Sequence, residues 1–209
     1  MEDFLAPINN LYEENIKKFG INSKSVGWKD STSQYLRFNK LNLVFKNLND
    51  VISINDYGCG YGAHLTNLLS EGLNISRYNA YDINLEMLEK LKEHHTALTT
   101  VIINCIQSPE ITTVADYSLV SGTFNVMPNN DEKRWEKYIE ERLLQLKQHS
   151  RHGVAFNLLS NYVDWKQEGL YYADPIYWLN FCKQKITMNS VLLRDYGLYE
   201  WTILCRLEK

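Results

Sequence analysis

Three glycines alternate with other residues directly after an apolar run, at Gly58, Gly60 and Gly62. The run at 51–57 includes β-branched residues, and a helical pattern follows the last glycine. This order predicts a buried strand that delivers its carboxyl end to a ligand. Glycines let the chain turn tightly and let a ligand approach backbone N–H groups that a Cβ would shield. The helix that follows presents its positive end at the same place.

The ligand expected at this turn carries positive charge. The glycine spacing is G-x-G-x-G, which differs from the G-x-G-x-x-G of dinucleotide-binding folds. Asp56 stands two positions before the first glycine, where its carboxylate would repel a pyrophosphate and would accept a cation. The alternative is an ordinary tight turn without a ligand, so the rest of the chain has to decide between the two.

Length and composition limit the class of protein. With 209 residues the chain is long enough for one α/β domain with a full core, so we expect a single domain over residues 1–209. A net charge of -3 gives no basic field for a phosphate backbone, and nucleic acid is a disfavoured partner. The four cysteines form no C-x-x-C pair, so neither a metal site nor a disulfide scaffold is expected. No apolar run approaches the ~18 residues of a membrane span, and we expect a cytoplasmic protein.

Helical and strand patterns alternate along the chain, which predicts an α/β fold. Apolar residues recur at helical spacing over residues 4–19 and 33–48, so residues 1–50 are expected to form a helical lid on a core of residues 51–209. A hairpin about Gly197 is expected to close the chain. The predicted strands lie at 51–57, 77–83, 101–103, 117–125, 153–159 and in two apolar runs from 190 onward.

Asp82 ends the second predicted strand, about 20 positions beyond the glycine turn. In doubly wound folds an acidic residue at this separation holds a ribose, because a carboxylate offers two acceptors to vicinal hydroxyls. The alternative is an exposed acid at the end of a strand. Asn84 follows as a candidate N-cap for the next helix. The glycine turn and Asp82 therefore agree on a ligand that contains a ribose.

Asp-x-Gly-x-Gly-x-Gly at the end of a first strand resembles motif I of the class I S-adenosylmethionine-dependent methyltransferases. A Trp-x(5)-Gln-x-x-Arg-Phe arrangement precedes it and is similar to a leader in small bacterial members of that family; its residues here are Trp28, Gln34, Arg37 and Phe38. The resemblance implies S-adenosylmethionine as the cofactor, which carries an ammonium and a sulfonium. It also implies a Rossmann-like three-layer sandwich with an N-terminal helical cap. The sheet would have seven strands and be mostly parallel, with an antiparallel C-terminal strand.

The resemblance also implies which residues contact the cofactor. Arg37 is expected to pair with the cofactor carboxylate, because the guanidinium fork suits carboxylates; the alternative is a solvated pair with Gln34. The adenine is expected to contact the residue just past the third strand, and the choice between Asn104 and Cys105 stays open. The complete set of expected cofactor-binding residues is Gln34, Arg37, Asp56, Gly58, Cys59, Gly60, Gly62, Asp82, Ile83, Asn104, Cys105, Ser121, Gly122 and Asn125.

The methyl acceptor is expected on the opposite side of the cleft. Aromatic residues are dense from residue 153 onward, and the loop at 160–174 has no clear period. Because the cofactor motifs use the ends of strands one, two and four, this loop and the hairpin remain to close the cleft. The residues expected to meet the acceptor are Tyr172, Tyr199 and Asp195. A general base would come from a pool whose members each have a surface or structural alternative: His64, His152, Asp164, Asp174 and Asp195.

Several short runs resemble small bacterial methyltransferases associated with surface-polysaccharide biosynthesis, among them Ser-Gly-Thr-Phe-Asn-Val and Tyr-Tyr-Ala-Asp-Pro. The resemblance implies a small-molecule acceptor that offers an oxygen of a sugar or of a phosphate-linked group. One alternative is methylation of a nitrogen on a small metabolite. Another is a cofactor-binding module without turnover. The sequence leaves the oligomeric state open.

Overall fold

The computed structural model describes residues 2–207 and has a single mixed sheet with helices on both faces. The helices are α1 (Glu2–Phe19), α2 (Ser31–Asn42), α3 (Ala63–Ser70), α4 (Leu85–His94), α5 (Glu132–Gln148) and α6 (Pro175–Phe181). The strands are β1 (Val51–Tyr57), β2 (Asn74–Asp82), β3 (Ile102–Gln107), β4 (Ala115–Val120), β5 (Ser150–Ser160), β6 (Tyr172–Ala173), β7 (Ser190–Leu193) and β8 (Glu200–Arg206). None of the helices in this described part is both long and apolar enough to cross a membrane.

The strands follow the order β3-β2-β1-β4-β5-β8-β7, and β6 pairs beside β5. Strands β1 to β5 are parallel to one another, whereas β8 runs antiparallel to both β5 and β7. The expected mostly parallel sheet with an antiparallel C-terminal strand is therefore confirmed. The sheet has one strand more than the seven expected, because two residues of the 160–174 loop pair with Leu159 and Ser160.

Two apolar cores lie on opposite faces of the sheet, which confirms the three-layer sandwich. In β5, Phe156 and Leu158 face one core, and Ala155 faces the other. The alternation follows from the two-residue period of a strand. Helices α1, α5 and α6 cover the first face, and α2, α3 and α4 cover the second.

Capping hydrogen bonds and strand pairing determine where the helices and strands begin and end. Asn84 caps α4 by accepting a hydrogen bond from the Met87 N–H, as expected. Helix α2 ends at Asn42, six residues earlier than the apolar pattern suggested, because the buried residues Val44 and Phe45 lie in turns. Strand β3 extends to Gln107, beyond the expected end at 103, because it stays in register with β2 up to Asp82.

A row of asparagines crosses β3, β2 and β1; Asn79 and Asn55 are buried, and Asn104 is exposed. Asn104 donates to Asn79, Asn79 donates to Asn55, and both N–O distances are 2.8 Å. Asn55 then donates to the Thr113 carbonyl at 2.8 Å, in the connection between β3 and β4. The amides of Asn79 and Asn55 both donate and accept, so the row satisfies polar groups that burial would otherwise leave without partners. It ties this connection, which contains no helix, to the sheet.

Gly153 in β5 lies where the sheet leaves no room for a side chain. A Cβ there would lie 2.8 Å from Val44 Cγ2 and 3.1 Å from the Cys205 carbonyl oxygen. We expect Gly153→Ala to destabilise the fold by about 1–3 kcal/mol, the usual effect of overpacking. Gly197→Ala is the matched control, since nothing lies within 4 Å of its Cβ position, and it should change stability by less than about 0.5 kcal/mol. Urea unfolding midpoints compare the two; equal midpoints would contradict the packing assignment.

Candidate active site

The glycine turn joins β1 to α3, and all three glycines have positive φ angles. Gly58 and Gly60 border a cleft at the carboxyl end of the sheet. Gly62 does not border it; a Cβ there would lie 2.7 Å from Leu91 Cγ, so this glycine allows α3 and α4 to pack closely. The expectation that Gly62 contacts a cofactor therefore gives way to a role in helix packing.

Asp82 joins the glycine turn to the end of β2. One carboxylate oxygen accepts from the Gly60 N–H at 2.9 Å, and the other accepts from the Asn84 N–H at 2.9 Å. Burial raises the pKa of Asp82, and these N–H groups act against that shift. Two N–H donors leave further lone pairs on a carboxylate, so Asp82 can still accept from a ligand.

The cleft consists of two adjoining cavities. The first has an empty volume of about 720 Å³, including the part open to solvent, and the second has about 320 Å³. The residues that border both cavities are Val26, Trp28, Gly58, Gly60 and Ser121. Asp82 and Ile83 border the first cavity, and Gln34, Asp56 and Cys59 border the second.

Asp56 gives the second cavity a buried carboxyl group that is only 1% exposed. Tyr78 donates a hydrogen bond to it. Burial raises the pKa of Asp56 to about 7; the Tyr78 hydrogen bond lowers it, and the Asp82 charge raises it further. A cationic group in this cavity would favour the ionised form.

His64 borders the second cavity as a neutral hydrogen-bond acceptor. Its Nε2 lies 2.9 Å from Asn42 Oδ1, and the Asn42 amide group donates to Asn67. Asn42 Oδ1 is therefore an acceptor, so His64 carries its proton on Nε2. Nδ1 is then a bare acceptor, and it is buried without a partner. Burial lowers the pKa of His64 to about 3, which keeps the ring neutral.

The end of β4 contributes buried polar atoms to the cleft. Ser121 Oγ borders both cavities and has no hydrogen-bond partner among the described residues. Gly122 borders the first cavity, and its N–H donates to Asn157 Oδ1 at 2.8 Å. Asn125 borders neither cavity; its Oδ1 accepts from the Leu159 N–H, while its buried Nδ2 has no partner in the described structure. A buried polar atom without a partner, such as Ser121 Oγ, is typical of a ligand site.

Arg37 has a different partner from the one expected. Its Nε lies 2.7 and 2.8 Å from the two carboxylate oxygens of Glu200, and its Nη1 donates to the Ser33 carbonyl. Both members of the ion pair are buried, and Arg37 borders neither cavity. A sequence pattern could not indicate this pair, because 163 positions separate the two residues.

The two residues expected to contact the adenine, Asn104 and Cys105, border neither cavity. Asn104 lies within β3 and belongs to the asparagine row, and the Cys105 side chain packs toward α4. Both residues precede the true end of the strand, which is at Gln107. Ser108 follows that end, borders the first cavity and was missed because β3 is longer than its apolar run.

The three residues expected to meet the acceptor border neither cavity. Asp195 pairs with Lys40 at the surface, Tyr172 accepts from the Gln167 N–H, and Tyr199 is 67% exposed. The hairpin pairs along β5, and it is Glu200, rather than these side chains, that contacts Asn157 inside the protein. Their contact with an acceptor stays a prediction. Of the five candidate general bases, His64 alone borders a cavity.

Helix α1, which belongs to the expected helical lid, forms a wall of the first cavity, although none of its residues was expected to contact a ligand. Asn84 Nδ2 donates to Asn9 Oδ1 at 3.1 Å, which fixes α1 beside the end of β2. Burial, followed by the Asp82 charge, raises the pKa of Tyr12 to about 12. The helical pattern indicated a buried face on α1 but not the surface it covers. The helix residues that line the first cavity without having been expected there are Leu5, Ile8 and Tyr12 from α1 and Trp135 and Tyr138 from α5.

No group of three His, Cys, Asp or Glu side chains within the described residues has the arrangement of a metal site. Buried acceptors surround the second cavity, and a mixed wall of apolar side chains and Asp82 surrounds the first.

No family model matches the chain. A protein of Mycobacterium tuberculosis (strain H37Rv) named as a candidate methyltransferase, Rv1506c, is 39% identical over 162 residues, which is 77% of this chain and 96% of that protein. Among solved structures, magnesium protoporphyrin IX methyltransferase from Synechocystis PCC 6803 with bound S-adenosylhomocysteine has a TM-score of 0.67 at 7% identity, covering 99% of this chain and 97% of that one. Human N-acetylserotonin methyltransferase in complex with S-adenosylmethionine has a TM-score of 0.68 at 13% identity, covering 98% of this chain and 59% of that one. The chain therefore has the class I methyltransferase fold and belongs to the methyltransferase family of its mycobacterial relative.

Proposed function

We propose that this protein transfers a methyl group from S-adenosylmethionine to an oxygen of a small-molecule acceptor. The observation that carries the proposal is the joined pair of cavities at the carboxyl ends of β1, β2 and β4, where open α/β sheets bind ligands. The methyltransferase relative supports the reaction class. The arrangement also explains why the glycine turn, Asp56 and Asp82 belong to one site.

The first cavity fits the nucleoside half of the cofactor. Asp82 has lone pairs left for the ribose hydroxyls, and Ile83 and Met87 offer apolar contact to a base. Ser108 adds a hydroxyl at the end of β3. The turn at Gly60 brings the backbone close, because a Cβ there would already lie 3.0 Å from Val26 Cγ1.

The second cavity fits the amino-acid half. An ammonium needs acceptors, and the cavity offers the Asp56 carboxylate and the Gln34 and His64 side chains. Because His64 is neutral, it accepts from an ammonium without repelling it. Burial makes each of these interactions stronger than it would be in water.

The protein's part in the reaction is alignment and exclusion of water. S-adenosylmethionine supplies an electrophilic methyl group on a sulfonium, so few catalytic side chains are needed. Trp28 and Ser121 border both cavities where they join, and Gly122 borders the first cavity beside Trp28. The low pKa of His64 makes it a weak base, so we assign it to binding rather than to proton removal.

For the acceptor we propose a sugar hydroxyl of the kind found in surface-polysaccharide precursors. The resemblance of the short runs supports this class. Among the described residues that border the two cavities, the carboxylic acids are Asp56 and Asp82, and there is no Lys or Arg. A phosphate that approached the junction of the cavities would find no lining cation to pair with, so the lining favours an uncharged hydroxyl there.

The purified protein is expected to bind S-adenosylhomocysteine and S-adenosylmethionine, and not NAD. With a panel of uncharged and phosphorylated sugars, S-adenosylhomocysteine should be released fastest with an uncharged one. Calorimetry measures binding, and product mass with linkage analysis separates oxygen from nitrogen methylation. Cofactor binding without turnover on any acceptor would favour the non-catalytic module, and NAD binding would overturn the assignment.

Asp82→Ala should weaken S-adenosylhomocysteine binding by about 1.5–3 kcal/mol, the usual range for hydrogen bonds to a charged group. Part of this loss would come from the Gly60 N–H, which also loses its acceptor. Asp131→Ala is the matched control, since Asp131 accepts from the Arg134 N–H as the N-cap of α5 and borders neither cavity. Calorimetry on the two variants provides the test; equal losses would mean that Asp82 acts only through stability.

Cofactor affinity should fall as the pH drops below about 7, the pKa of Asp56 in the free protein. A cation in the second cavity favours the ionised carboxylate, so below this pH binding has to release a proton. Affinity then falls by up to about tenfold for each pH unit. Of its neighbours, His64 and Cys59 have pKa values outside this range. Calorimetry with S-adenosylhomocysteine between pH 5.5 and 8, in buffers of different ionisation enthalpy, measures the released proton.

In Asp56→Asn the proton release should vanish while binding persists at pH 8. The Asp82→Ala variant controls for the second carboxyl group, which borders the first cavity and also has a raised pKa. A slope that survives in Asp56→Asn would show that another group titrates.

A further inference from the structure

Trp28 occupies the junction of the two cavities and is held from two sides. It borders both cavities. Its ring packs on the backbone of Gly122, where a Cβ would lie 2.3 Å from Trp28 Cζ2. The Arg37 guanidinium lies over the ring, with Cζ 3.8 Å from the ring centroid. The indole is therefore fixed between a strand end and a cation.

The cation belongs to a buried chain of polar contacts that returns to the same glycine. Arg37 pairs with Glu200, whose Oε2 also accepts from Asn157 Nδ2 at 2.7 Å. Asn157 Oδ1 accepts from the Gly122 N–H at 2.8 Å. The contacts form a closed circuit in the order Trp28, Arg37, Glu200, Asn157, Gly122 and back to Trp28.

Each member of the circuit comes from a different part of the chain. Trp28 lies in the segment before α2, Arg37 in α2, Glu200 at the start of β8, Asn157 in β5, and Gly122 after β4. Glu200 is 1% exposed, Arg37 7% and Asn157 0%. Burial and multiple hydrogen bonds leave these side chains little rotational freedom, so the circuit can hold Trp28 in one orientation.

We propose that Trp28 is a cofactor-contacting wall at the reaction centre, and that Arg37, Glu200 and Asn157 are positioning residues that act through it. The proposal rests on the proposed function, because the junction of the cavities is where the two halves of the cofactor meet. The C-terminal hairpin then acts on the site through Glu200, without contacting the acceptor. Trp28 covers the junction and restricts the entry of water and bulky acceptors.

Arg37 is not free to bind an anionic group of a ligand at this site. Its charge is already neutralised by a bidentate carboxylate, and its Nη1 is occupied by the Ser33 carbonyl. A second anion would have to break these contacts in a buried place. A supporting role behind Trp28 requires no such change.

The test uses the full chain and S-adenosylhomocysteine as the probe. Trp28→Ala should weaken its binding by about tenfold, equivalent to about 1.4 kcal/mol. The double variant Arg37→Met/Glu200→Gln removes both charges, which avoids an unpaired buried ion, and should weaken binding to a similar extent. In the Trp28→Ala background the double variant should add less than about twofold, because residues that act through one contact are not additive.

Lys40→Met is the matched control. Lys40 also joins α2 to the hairpin, through an ion pair with Asp195, but it has no contact with Trp28. Its affinity for S-adenosylhomocysteine should stay within about twofold of the wild type. A purely structural effect of cutting α2 from the hairpin would appear in this variant as well.

Iodide quenching of tryptophan fluorescence gives a second measurement that does not depend on S-adenosylhomocysteine. The Trp28 contribution is the part of the quenching that the Trp28→Phe substitution removes. This contribution should be larger in the Arg37→Met/Glu200→Gln background than in the wild type. Additive losses of affinity, or unchanged quenching of Trp28, would overturn the positioning role. If the wild type binds no S-adenosylhomocysteine, the proposed function fails, and quenching alone decides whether the circuit holds Trp28.

Discussion

The site depends on the way the Asp82 carboxylate and the neighbouring carbonyl hold the glycine turn. Asp82 accepts from the Gly60 N–H, and the Tyr81 carbonyl accepts from the Gly58 and Cys59 N–H groups. The turn therefore continues the hydrogen bonding between β1 and β2 beyond the last paired residues, Tyr57 and Tyr81. Because the carboxylate has lone pairs left, the same group that shapes the turn can bind a ligand beside it. Folding and binding thus use one side chain.

The second cavity keeps a carboxyl group in an unfavourable place. Burial raises the pKa of Asp56 to about 7, so above that pH the free protein carries a buried negative charge. Relative to an unfolded chain with an ordinary carboxyl pKa, this lowers the free energy of unfolding as the pH rises from about 4 to 7. The hydrogen bond from Tyr78 offsets only part of the penalty. A cationic ligand would offset the rest of this desolvation penalty. Carboxyl groups with a perturbed pKa are common in binding sites for this reason.

Short-range sequence patterns predicted much of the fold. They could not identify contacts between residues that are far apart in the sequence. The glycine turn, Asp82 and the Asn84 cap follow from short spacings, and the structure has each in its expected place. Arg37 was assigned to the cofactor because a sequence shows its charge and not its partner, which lies 163 positions away. Asn104 was misplaced because polar residues inside a strand hide its length.

Acceptor contacts were the least predictable part. Aromatic density and the strands without a cofactor motif favour Tyr172, Tyr199 and Asp195, and neither feature indicates which way a side chain points. A hairpin register that differs by one residue reverses every side chain. In the actual register Glu200 pairs with Leu159, and its carboxylate meets Asn157 and Arg37. The hairpin residue that enters the buried polar contacts with Asn157 and Arg37 is therefore a carboxylate rather than an aromatic side chain.

Two ion pairs join α2 to the hairpin, and they differ in what they can do. The Lys40–Asp195 pair is exposed on the Asp195 side, and such pairs contribute about 0–1 kcal/mol. The Arg37–Glu200 pair is buried, where desolvation cancels most of its attraction, although losing one partner alone costs about 3–5 kcal/mol. An apolar pair could replace it with little loss of stability. An apolar pair could not accept a hydrogen bond from Asn157, the residue that fixes the Gly122 N–H. It also could not place a cation on Trp28. The geometry of the cleft, rather than the free energy of unfolding, accounts for a charge pair at this position.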